Sequence, residues 1–178
     1  MAVWIQIIGI RKSDSTEIEK EKIRKILNTA EFDFDFVKPN LGLKTEKSEW
    51  KLTQSKGIEF FELPLFDQAL KVYFDNPNFI EFSGSFGLFS AWFRFTDVKQ
   101  SELTDGIRKV FRKIASEYGI SELIYFSEWF FSIDYIRNKE ANAENLIELI
   151  KNNPDLKRNK LYGLESNEYY VEKIKSSC

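Results

Sequence analysis

The chain offers few residues able to do chemistry, and their types limit the chemistry at once. It has no histidine and one cysteine, Cys178 at its end. That removes Ser-His-Asp and Cys-His catalysis, histidine-ligated zinc and the usual proton shuttle at neutral pH. Catalysis would have to rest on carboxylates, lysine, tyrosine or serine. Asp33 and Asp35 in the run FDFDFV stand at i and i+2, so on a strand they share one face. Two such carboxylates could hold a divalent cation, but no third ligand follows at a recognisable spacing. Glu49-Trp50-Lys51 has the acid-x-Lys form of some metal-dependent nucleases, without a preceding Pro-Asp. Glu59, Glu62, Asp134 and Arg94 complete the ionisable candidates, and no spacing brings two of the carboxylates together for acid–base work. The loop Ser83 to Gly87, SGSFG, lacks the lysine of a phosphate-binding loop and opens no helix, so it reads as a turn. No metal or cofactor is expected, and the reading leans away from an enzyme.

Binding residues are better represented. The segment Phe79 to Phe95, FIEFSGSFGLFSAWFRF, reads as a β-hairpin. In its second strand Phe89, Ala91, Phe93 and Phe95 alternate with Leu88, Ser90, Trp92 and Arg94, which leaves the latter set on the far side of an apolar face. Trp92 and Arg94, with Ser90, are therefore interface candidates, since Trp and Arg are enriched among residues that dominate binding energy. Asp134 is expected on the same sheet face, and Trp50 and Trp129 at its edges. A second charged feature is the cluster Arg108, Lys109, Arg112 and Lys113, which could meet a phosphate backbone or an acidic partner and otherwise serves as a solvated helix face.

The elements that must position these residues follow from periodicity. Val3 to Ile10 is apolar on both faces and reads as a central strand. A helix follows, with Ser13, Ser15 or Thr16 as cap, Thr16 and Glu19 at capping-box spacing, and an inward stripe of Ile23, Ile26, Leu27 and Ala30. Phe32 to Val37 alternates as a strand. Trp50 to Gln54 and Ile58 to Glu62 form a hairpin around Ser55-Lys56-Gly57. Pro64 to Phe74 carries Leu65, Phe66, Ala69, Leu70 and Tyr73 at helical spacing and is taken as a short helix, although Leu70 to Phe74 also suits a strand. Lys99 to Tyr118 is the clearest helix, ended by Gly119. Strands at Glu122 to Ser127 and Phe130 to Arg137, a helix from Asn142 to Asn152 with Ala143, Leu146, Ile147 and Ile150 inward, a basic loop from Lys157 to Gly163, and a last strand near Glu168 to Lys175 complete the chain.

The expected fold is α+β, with a large, mainly antiparallel sheet, helices packed on one face, and a ferredoxin-like (split βαβ) order in residues 88–175. Residues 1–178 read as a single domain, with two intertwined ferredoxin-like halves at about 1–78 and 79–178 as the variant. The opening apolar run is too short to span a bilayer and lacks the basic region of a secretory signal, so a cytoplasmic location without a membrane is the expectation.

With 26 Lys and Arg against 28 Asp and Glu, the net charge of -2 gives no general attraction to nucleic acid. The functional expectation is a non-catalytic protein-binding module, of the type of bacterial immunity proteins that neutralise a toxin partner; that likeness is one of composition. The alternatives are a small-ligand-binding or carboxylate-based enzyme domain, and single-stranded nucleic-acid binding through the sheet face, for which the Lys/Arg-Gly-aromatic motif is absent.

Overall fold

The computed structural model describes residues 5–13, 15–32, 49–65, 68–84, 98–127, 140–158 and 167–175. Its frame is one sheet of eight strands: β1 (Ile5–Ile10), β2 (Lys51–Ser55), β3 (Ile58–Leu65), β4 (Gln68–Tyr73), β5 (Phe79–Gly84), β6 (Glu122–Ser127), β7 (Lys157–Arg158) and β8 (Glu168–Lys173). The spatial order is β2-β3-β4-β5-β1-β6-β8-β7. Every pairing is antiparallel except the short β7 against β8. β1 is central, as its two-sided apolar pattern requires: Ile7 and Ile8 point to opposite faces and both are fully buried. Gly9 lets the layer above come close, since a Cβ there would stand 2.7 Å from Cδ1 of Ile120.

Among the described residues three helices cover the sheet: α1 (Thr16–Thr29), α2 (Val98–Tyr118) and α3 (Ala143–Asn152). α1 and α2 lie on one face. Ile23, Ile26 and Leu27 of α1 and Ile107, Val110, Phe111, Ile114 and Ala115 of α2 share a core with Ile7, Leu63, Val72, Phe82, Leu123 and Tyr125. Phe82 and Phe111 meet at 5.0 Å between ring centres, and burying each such ring contributes about 1.5–3 kcal/mol. α3 covers the other face, where Leu146 and Ile150 pack on Ile8, Phe79, Ile124 and Phe126. The expectation of helices on one face is thus corrected. Strands β1 and β6 carry apolar residues at successive positions, so both of their faces need cover. Ile147, expected inward, is 36% exposed at the margin of the α3 contact.

Local signals placed the helix ends. The side chain of Asn142 accepts a hydrogen bond from the Asn145 N–H at 2.9 Å, capping α3. At the end of α2, Gly119 takes φ +91, its N–H reaches the carbonyl of Ser116, and the Ile120 N–H reaches that of Ala115. The capping box expected at the start of α1 does not form, because the Glu19 carboxylate is bound by Arg11 instead. The β2–β3 turn uses Lys56 at φ 51 and Gly57 at φ 80, the double left-handed geometry that two-residue hairpins favour.

Two further expectations are corrected, and the ferredoxin-like order is not confirmed. The described residues between 64 and 73 are strands, not a helix: β3 runs to Leu65 and β4 spans Gln68–Tyr73. Leu70, Val72 and Phe74 alternate into the core. Pro64 is tolerated because it lies past Glu62, the last β3 residue paired with β2 on that side. The hairpin expected on Phe79 to Phe95 has no room beside β5, whose two edges are occupied by β4 and β1. Similarly, β6 lies between β1 and β8, so the described topology does not carry the ferredoxin-like order. Residues 33–48, 85–97 and 128–139, which hold the expected strands at 32–37, 88–96 and 130–137, are outside the described residues except for Phe32.

Candidate functional site

Of the six expected interface residues, Ser90, Trp92, Arg94, Trp129 and Asp134 lie outside the described residues. Trp50 is half-buried just before β2, packed against the core that α1 and α2 cover, with its ring 6.3 Å from that of Phe32. Its indole N–H is buried without a hydrogen-bond partner among the described residues. Asp33 and Asp35 are also outside the described residues. Glu59 and Glu62 fall on opposite faces of β3. Glu59 pairs with Lys20 at 2.6 Å, while Glu62 pairs with Lys71 at 3.6 Å. They do not form a carboxylate pair. Among the described residues no three potential metal ligands gather, and no helix is long and apolar enough to cross a membrane.

Among the described residues a feature with a formed shape lies on α2. Arg108, Lys109, Arg112 and Lys113 occupy one side of this helix because residues three and four apart share a face. They do not simply face solvent. The chain just past β8 runs beside them and contributes Ile174 and Lys175. Together Lys109, Arg112, Lys113, Ser116, Ile174 and Lys175 line an open pocket of about 220 Å³. The pocket wall is fixed where Ser116 Oγ donates to the Lys175 carbonyl at 3.1 Å.

Beneath the pocket is a buried carboxylate. Glu172 on β8 is 4% exposed and faces α2 between Tyr170 and Ile174. Arg108 donates to it twice, Nε to Oε2 at 3.1 Å and Nη2 to Oε1 at 2.6 Å. Arg112 Nε reaches Oε1 at 3.1 Å. The Tyr125 hydroxyl on β6 donates to Oε2 at 2.6 Å. A buried carboxylate needs such compensation, since its desolvation costs several kcal/mol. Burial pushes the Tyr125 hydroxyl well above its usual pKa of 10.0, and the adjacent Glu172 charge adds to the effect. Burial alone would lower Arg108, but the hydrogen bonds and charge of Glu172 outweigh it and raise it. Glu172 therefore holds two guanidinium groups in place, one half-buried and one at the pocket.

The ionic character of the pocket follows. Lys109, Arg112, Lys113 and Lys175 line it and Arg108 lies behind; Glu172 pairs with both arginines, and Glu117 stands 3.4 Å from Lys113. Four basic side chains converge there, on a chain whose net charge is -2. The arrangement can bind an anion. The basic cluster on α2 was visible in the sequence. Glu172 and Lys175 are not among the residues that the sequence singles out, because the alternation there draws attention to the face of Tyr169, Val171 and Lys173. The opposite register, Tyr170-Glu172-Ile174, places one acid between two apolar residues, and that was the available signal.

Comparison with models of known protein families, with curated proteins and with solved structures finds no match for this chain.

Proposed function

We propose that this chain is a non-catalytic binding protein that docks another protein, and that the docking surface is the basic face of α2 with the end of β8. The observation that carries the reading is the pocket of Lys109, Arg112, Lys113 and Lys175 built over the buried Glu172. Complementary charge speeds encounter and selects partners, so the partner surface is acidic. The absence of histidine and the single terminal cysteine fit a binding role better than a catalytic one. A toxin neutralised by this chain, as by an immunity protein, is one partner of that kind.

The test uses the full chain and a charge-reversed variant, K109E/K113E/K175E, as baits in extract of the source cells. A W92A/R94A variant runs in parallel, because Trp92 and Arg94 define the competing surface. The expected result is an acidic protein retained by the wild type and by W92A/R94A, and lost with the charge-reversed bait. Retention by the charge-reversed bait, with loss in W92A/R94A, would move the docking surface away from α2.

A further inference from the structure

The basic pocket has more charge and more donors than a single carboxylate can use. Lys109, Arg112 and Lys113 approach from one side and Lys175 from the other, with the Ile174 side chain as an apolar wall. Arg112 is held to Glu172 through its Nε, and its side chain, 45% exposed, lines the pocket. A planar carboxylate carries one charge and is satisfied by one such fork. A phosphoryl group carries about -1.5 to -2 charges and offers three strong acceptor oxygens. It can meet the fork and the lysines together. The volume, about 220 Å³, holds a phosphoryl group with several waters, each of which takes about 30 Å³ in the liquid.

We propose that this pocket is a phosphoryl-binding subsite, in which the Arg112 fork and the ammonium groups of Lys109, Lys113 and Lys175 bind a phosphate ester or diphosphate. This rests on reading the α2 face as a binding surface. Nucleic acid is a poorer occupant: duplex binding neutralises many phosphates along a strand, whereas these cations converge on one pocket. Glu172 and Arg108 act as positioning residues, since they orient Arg112 without lining the pocket.

The experiment is isothermal titration of the full chain with pyrophosphate and with inorganic phosphate at low salt. It is repeated with polyglutamate and with a serine peptide in phosphorylated and unphosphorylated forms. Saturable binding of pyrophosphate is expected, weakened about tenfold or more in K109Q/K113Q/K175Q, since losing one charge-assisted hydrogen bond already costs about that factor. K25Q/K151Q, which changes exposed lysines on α1 and α3, should bind as the wild type does. Binding should weaken as pH falls through about 6, where a phosphate ester loses its second charge. Tighter binding of the phosphopeptide than of phosphate assigns the group to a partner protein; equal binding assigns it to a free ligand. The inference is overturned if no phosphate species binds at low salt, if the triple variant binds equally well, or if polyglutamate matches pyrophosphate. That last outcome leaves the docking reading intact. Phosphate binding without retention of an acidic protein removes the docking reading and leaves the subsite.

Discussion

Two arginine sites on the same side of the sheet show what a buried cation can be used for. Arg11, just after β1, is 6% exposed. Its guanidinium donates to Glu19 at 2.8 Å, to the Tyr118 hydroxyl at 3.3 Å, and to the carbonyls of Phe74 and Asn76 at 2.7 and 2.8 Å. Burial lowers its pKa, and the Glu19 charge opposes that shift. Every one of these partners belongs to the protein's own frame, so the site ties α1, the β4–β5 connection and the end of α2 together and is closed. Arg108 and Arg112 share Glu172 just as tightly, yet Arg112 keeps 45% of its side chain exposed. The carboxylate is the buried member there, and one of its arginines extends to the surface. The first arrangement joins elements. The second joins elements and also holds a cation in a fixed position for something outside the chain.

Breaking the shared carboxylate should have the largest effect. Glu172→Ala takes the carboxylate from the half-buried Arg108 and removes the acceptor of Tyr125, so the expected loss is about 3 kcal/mol of stability in denaturant unfolding. Glu172→Gln, which keeps the shape, should lose less and should also weaken any anion affinity by freeing Arg112. Next is the closed site. Glu19→Gln should cost about 2–3 kcal/mol, because Arg11 keeps its two carbonyl acceptors but loses its counter-charge. Such a variant should leave ligand or partner affinity unchanged, and an affinity change equal to that of Glu172→Gln would erase the distinction between the two sites.

Smaller effects sharpen the contrast. Tyr125→Phe should cost about 1.5 kcal/mol, the worth of a hydrogen bond to a charged group. It should also change the alkaline limb of stability. The unfolded tyrosine ionises near 10.0, whereas in the folded chain burial and Glu172 hold the proton. The folded state then binds more protons, so the stability that Tyr125 contributes is present below that pH and is lost as pH rises beyond it. The wild type should fall more steeply than the variant above about pH 10. The smallest stability change belongs to the pocket itself. K109Q/K113Q/K175Q should unfold within about 0.5 kcal/mol of the wild type, as exposed charges do. A marked stabilisation on adding pyrophosphate to the wild type, absent in this variant, would separate the pocket from the frame in a single thermal-shift series.

How much was legible depends on whether a signal was local. α2 reads correctly from Lys99 to Gly119 because its apolar spacing and its glycine cap lie within one segment. The β2–β3 hairpin reads correctly because Lys56-Gly57 suits a left-handed two-residue turn. Residues 64–74 misled because apolar residues at 65, 69, 70 and 73 fit a helix, while Leu70, Val72 and Phe74 fit a strand equally well. The neighbouring strands β3 and β5 settled the matter by pairing on both sides. The hairpin at 79–95 misled for the complementary reason. Adjacent apolar segments suggest adjacent strands, but the edge of β5 was taken by β1, some seventy residues earlier in the chain.

From the residues alone came the chemistry that is excluded, the periodicity that makes α1, α2 and α3 helices, the two-sided burial of β1, and the basic side of α2. These are properties of residue type and short spacing. The tertiary structure decided which strands are neighbours, which face each helix covers, and which charges meet. Glu172 and Arg108 are 64 residues apart in the chain, and no local rule pairs them. The sheet brings β8 beneath α2, and in that low-dielectric contact a buried carboxylate must find cations. Only then does a stripe of basic residues become a pocket with a fixed arginine.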